Sequence, residues 1–108
     1  MNRNQIIEKI SSFLLSSGWT LFPHPAAALA YKMYDTAVGK RESQVYFSGD
    51  QYTWLISGDY QSQGTNILST SSVFIAKNCS PEELNECLTD FLTKVETRIS
   101  QSYAVRLL

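Results

Sequence analysis

Histidine is almost missing from this 108-residue chain: it occurs once, at His24, and cysteine occurs twice, at Cys79 and Cys87. One imidazole and two thiols cannot assemble a zinc site of the usual kind, and no Ser-His-Asp or Cys-His set can be named with all its members. His24 stands between Pro23 and Pro25, where the flanking rings more simply fix a chain reversal. Lysine and arginine are absent from Gln44 to Ala76. A β-sheet that reads nucleic acid interleaves aromatics with cations, so that gap excludes one, and a net charge of -1 supplies no basic field for phosphate backbones.

Long apolar runs are lacking too. The stretch after Met1-Asn2-Arg3-Asn4 is broken by Glu8 and Lys9, and nothing approaches the ~20 apolar residues of a membrane span. The chain is expected to be cytoplasmic, with no membrane partner. If a helix begins near Ser80, Cys79 and Cys87 lie about 10 Å apart along its axis. A disulfide needs Cα atoms within about 7 Å, so free thiols are expected, in keeping with a reducing compartment.

What is present is enough for one core. A hydrophobic content of 44% with 12% aromatics over 108 residues fits a single domain spanning 1–108. Ile6, Ile7, Ile10, Phe13 and Leu14 recur at helical spacing, predicting a helix from about Arg3 to Ser16 that Gly18 stops. Trp19 to Phe22 reads as a short strand. From 23 to 37 the signals conflict: Ala26 to Ala30 favours helix, whereas Tyr31 and Tyr34 favour a strand over Tyr31–Thr36, paired through Gly39-Lys40-Arg41 with the segment beyond it.

The middle of the chain is β. A two-residue turn at Gly49-Asp50 would set Phe47 opposite Tyr52 and Val45 opposite Trp54, collecting Val45, Phe47, Tyr52, Trp54 and Ile56 on one face. Gln44, Tyr46, Ser48, Thr53, Leu55 and Ser57 are then left on the wet face. Gly58 to Asn66 reads as a polar connection, and Ile67–Ala76 as a further strand. Ser80-Pro81-Glu82-Glu83 spells a helix start with a capping box, and Leu84, Leu88, Phe91, Val95 and Ile99 continue it as one apolar stripe. The expected architecture is α+β: an N-terminal helix, an antiparallel sheet of three to five strands, and a long C-terminal helix on one sheet face.

No catalytic residue, cofactor or metal site emerges from these patterns. Cys79, near a helix N-terminus where a thiol pKa can fall, is the one hint of reactivity, and it has no partner base. Asp35, Glu42, Asp50 and Asp59 with Lys40 do not show the spacing of a metal-dependent nuclease, and Asp50 and Asp59 follow glycines as turn residues do. The expectation is a small non-catalytic protein-binding module, of the inhibitor or immunity type that blocks another macromolecule. Its partner surface is expected at Tyr46, Leu55, Asp59 and Tyr60, on the wet face and the loop after Ser57, with Asp59 suiting a basic protein. No nucleic-acid partner is expected. Two alternatives are a secretion-type chaperone or assembly partner acting as a dimer, and a small enzyme using Cys79 or the scattered carboxylates.

Overall fold

Asn2 opens the first helix: its Oδ1 accepts the Gln5 backbone N–H at 2.8 Å, and its own N–H donates to Gln5 Oε1 at 2.9 Å. That reciprocal cap starts α1 (Arg3–Ser16), which buries Ile6, Ile10 and Leu14. The computed structural model describes residues 1–23, 28–36, 39–61 and 67–104. Gly18, at φ 88°, ends α1. Its N–H and that of Trp19 donate to Leu15 O and Leu14 O, so a left-handed residue is needed there and glycine meets the need.

Five strands come next: β1 (Thr20–Leu21), β2 (Ala30–Thr36), β3 (Gly39–Gly49), β4 (Thr53–Gln61) and β5 (Ile67–Ala76). They form one antiparallel sheet in the order β1-β2-β3-β4-β5. The chain closes with α2 (Pro81–Ala104), whose capping box is present as expected: Glu83 N–H donates to Ser80 Oγ at 3.1 Å and Ser80 N–H to Glu83 Oε1 at 3.2 Å. Among the described residues no helix is long and apolar enough to cross a membrane.

Both helices lie on one face of the sheet. Val45, Trp54, Ile56, Tyr60 and Ile75 from the strands are buried in one cluster with Ile6, Ile10 and Leu14 of α1 and Leu84, Leu88, Phe91, Val95 and Ile99 of α2. The α+β architecture is thus as expected, with five strands. Lys32, on the same side of β2, ties the layers together: its Nζ donates to Ser17 O at 3.3 Å, lies 4.0 Å from Glu96 and sits over the Tyr34 ring. Placing a cation at the carbonyl end of α1 is favourable for the helix dipole.

Three expectations need correction. The β3–β4 ladder closes at Gly49 opposite Trp54, and Asp50 N–H donates to Thr53 O at 3.0 Å, so the two-residue turn lies at Gln51-Tyr52 and not at Gly49-Asp50. Asp50 Oδ1 holds that reversal by accepting from Tyr52 N at 2.7 Å and Thr53 N at 2.9 Å. Gly49 makes room for its partner, since a Cβ there would run into the Trp54 ring. Phe47 consequently faces Ile56, and Tyr52 is left 73% exposed in the turn. The face assignment of Val45, Phe47, Trp54 and Ile56 survives, because the two registers differ by an even number of residues.

The polar connection expected from Gly58 starts later: β4 continues to Gln61, since the eleven-residue β3 offers Ser43, Gln44 and Val45 as partners for Tyr60, Asp59 and Gly58. Its remainder, 62–66, lies outside the described residues, as do His24 and Ala26. Gly39, Lys40 and Arg41 do not form a turn; they belong to β3, opposite Thr36, Asp35 and Tyr34.

Candidate protein-binding face of the sheet

Strand alternation sends every second side chain away from the helices. On β3 these are Glu42, Gln44, Tyr46 and Ser48; on β4, Leu55, Ser57 and Asp59; on β5, Ser72 and Phe74. The register assembles them into rows. Gln44 stands opposite Asp59, Tyr46 opposite Ser57 opposite Ser72, and Ser48 opposite Leu55 opposite Phe74. Tyr46 is therefore the diagonal neighbour of both Asp59 and Leu55. One end of this strip is acidic, the other apolar, and the tyrosine joins them.

Three of the four expected partner residues, Tyr46, Leu55 and Asp59, come together here, each half-buried. Tyr60 does not. It is 1% exposed and belongs to the core, because the extension of β4 carries the alternation Trp54, Ile56, Gly58, Tyr60 inward. Its place in the strip is taken by Phe74, 69% exposed, with Met33 on β2, 48% exposed, beside Glu42. The signal for Phe74 is present in Val73-Phe74-Ile75: if the outer two face the core, the central residue must face away.

The polar end is wired together. Tyr46 donates its hydroxyl hydrogen to Gln44 Oε1 at 2.8 Å, and Gln44 Nε2 donates to Glu42 Oε2 at 3.0 Å. Burial pushes the Asp59 carboxyl above its ordinary value and the nearby Glu42 carboxylate adds to the push, against the opposing pull of the Tyr46 hydroxyl and the Gln44 N–H. The Tyr46 phenol is pushed up as well, by burial first and then by Asp59 and Glu42. Two carboxylates thus stand near each other at this end of the strip, and among the described residues neither is in an ion pair.

Elsewhere the chemistry is sparse. Cys79 and Cys87 are free and half-buried. The Cys79 thiol is pushed up, by burial and then by Glu83 and Cys87, which runs against the one hint of reactivity at the helix start. Among the described residues no three His, Cys, Asp or Glu side chains come close enough to share a metal ion. A groove of about 800 Å³ runs between α1 and the first turns of α2, with Phe13, Leu84 and Leu88 in its floor and Glu8, Lys9 and Glu82 among its lining residues. No family model, no curated protein and no solved structure matches the chain.

Proposed function

We propose that this protein is a non-catalytic binding module that uses the helix-free face of its sheet to hold a basic protein, as an inhibitor or immunity-type protein does. What carries the reading is the strip Asp59–Tyr46–Leu55–Phe74: an exposed aromatic and a half-buried aliphatic beside the carboxylates of Asp59 and Glu42, neither of which is in an ion pair among the described residues. Aromatic anchors flanked by polar groups are the usual composition of a binding hot spot. A carboxylate held partly out of water at a cost to its own ionisation is kept more readily where a partner supplies the missing cation.

The dimeric chaperone alternative draws on the helices as a dimer surface, and the apolar stripes of α1 and α2 are buried against the sheet. The enzyme alternative draws on Cys79 or the scattered carboxylates; burial pushes the Cys79 thiol up, and among the described residues no three His, Cys, Asp or Glu side chains converge.

The test is capture from source-cell extract with three baits, the unaltered protein, Tyr46→Ala and Asp59→Lys, and then titration of the partner so identified. Both variants are expected to lose the partner, Tyr46→Ala by at least ~2 kcal/mol if it is an anchor. Binding at full strength by both, with loss on Ser12→Arg or Asn85→Arg in the interhelical groove, would move the site to the helices.

A further inference from the structure

Where α1 ends, the helix-bearing face of the sheet gathers hydrogen-bond donors that lack acceptors. Tyr34 and Arg41 stand directly opposite each other on β2 and β3, on that face. Lys32 comes two residues before Tyr34, on the same side, and its Nζ lies 5.3 Å from the centre of the Tyr34 ring. Trp19 meets the ring edge-on, with centroids 6.4 Å apart. Tyr34 OH, Arg41 Nε and Trp19 Nε1 are all buried, and none has a hydrogen-bond partner among the described residues. Trp19 is only 2% exposed. Buried donors ordinarily find an acceptor, because leaving one without is costly, and here three surround a single ring. The charges are unbalanced as well. Lys32 lies 4.0 Å from Glu96, whereas the Arg41 guanidinium donates Nη1 to the adjacent Lys40 carbonyl at 2.8 Å and enters no ion pair among the described residues. Burial, and then the Glu96 carboxylate, push the Tyr34 phenol up, so its hydroxyl keeps the hydrogen it has to donate.

We propose that this cluster is a binding site for a small free carboxylic acid in its ionised form, held by the Arg41 guanidinium, with the Tyr34 hydroxyl and the Trp19 indole N–H as further donors and Lys32 as the second cation. Three observations select that ligand. Every group left over is a donor, so the ligand is an acceptor. Two cations against the single carboxylate of Glu96 leave one positive charge, which suits a singly charged anion before a phosphate dianion, and the planar guanidinium edge matches a carboxylate. The donor atoms of Tyr34, Arg41 and Trp19 are out of contact with water, beyond the reach of a side chain on a protein docked across the surface. A small molecule can pass Lys32, whose side chain is 28% exposed, and the half-buried Arg41. The site lies on the opposite side of the sheet from the Tyr46 strip, so neither reading depends on the other.

Titration of the nitrogen-15-labelled full chain with sodium acetate tests the proposal, followed by NMR at neutral pH and fixed ionic strength with chloride as the balancing anion. The chain has two tryptophans, Trp19 and Trp54, and hence two indole N–H signals. That of Trp19 is expected to move and saturate, while that of Trp54, at the other end of the sheet, serves as the reference for general salt effects. Inorganic phosphate should saturate the same signal only at higher concentration. Arg41→Gln should weaken the acetate response at least about tenfold. Tyr34→Phe removes only a buried hydroxyl, so it should weaken the response as well while leaving the acetate-free melting curve unchanged or higher; it decides the matter if Arg41→Gln does not fold. Lys9→Gln, the same change of charge on α1 away from the cluster, should respond like the unaltered protein. A Trp19 signal that moves without saturating, that moves equally with chloride, or that responds as before in Tyr34→Phe and a folded Arg41→Gln would overturn the site, and tighter saturation by phosphate would overturn the choice of a carboxylate.

Discussion

Gly58 lies directly beneath Phe91: a methyl group at position 58 would stand 3.3 Å from Phe91 Cζ, 3.4 Å from Val95 Cγ2 and 2.6 Å from Thr70 Oγ1. The close seat of α2 on the sheet thus depends on a residue without a side chain. Gly58→Ala should cost about 1–3 kcal/mol by overpacking, read as a lower urea midpoint. An unchanged midpoint would mean that α2 is not seated there.

Tyr46 and Tyr60 should part company. Tyr60→Ala removes a buried ring and is expected to destabilise by ~3–5 kcal/mol, whereas Tyr46→Ala should cost about 1 kcal/mol or less while abolishing partner binding. Chemical denaturation of the two variants side by side checks this. Equal losses would place Tyr46 in the core.

Asp59 and Asp50 make opposite contributions to pH stability. The Asp59 pKa is higher in the folded chain than the ordinary 3.8, so ionising it opposes folding; that penalty is complete above the folded value and vanishes below the unfolded one. Asp59→Asn should therefore raise the melting temperature at neutral pH, with the advantage fading as pH falls through the carboxylate range. The Asp50 carboxylate is held below 3.8 by the Thr53 and Tyr52 N–H groups. Its stabilisation is present above that value and is lost as pH falls through the lowered one, so Asp50→Ala should lower the melting temperature at neutral pH, with the difference from the unaltered protein closing in acid.

The two helix caps are equivalent in kind. Asn2→Ala and Ser80→Ala should each cost about 1 kcal/mol, measurable as a shift in thermal unfolding, and the double variant should show the sum because the caps share no hydrogen bond.

Cys79 should be sluggish. With its thiol pushed above the ordinary 9.0, alkylation at mildly alkaline pH is expected to run slower than that of an unstructured peptide thiol. Reaction faster than the peptide would restore Cys79 as a candidate nucleophile.

Several elements are legible in the sequence because their signals are local. The α1 stripe with Gly18 behind it, the run Ile67–Ala76, and the Ser80–Glu83 cap each lie within one or two turns of chain and agree with the structure to the residue. The Asn2–Gln5 cap is equally local, but the sequence reading does not include it. Pairing register is a different matter. Alternation sorts side chains between faces, but registers that differ by an even number of residues sort them identically, so Gly49-Asp50 reads as a turn although Gly49 is the partner of Trp54. The extent of β4 depends on β3 being long enough to receive Asp59 and Tyr60, a tertiary fact that no window around Gly58 contains. That is why a local reading places Tyr60 with the partner-facing residues and overlooks Phe74, sheltered in an apolar triplet.

The unbroken meander order has a kinetic consequence. Every strand pairs with its neighbour along the chain, so the sheet can grow one hairpin at a time, and each closure brings together segments separated by only a short connection. The pairing of greatest sequence separation is that of α1 with α2, which meet on the same face of the sheet. Until they do, the apolar faces of the strands stand open to water. Docking of the two end helices is then expected to come last, and a sheet not yet covered by them is expected to be the form most prone to self-association during refolding.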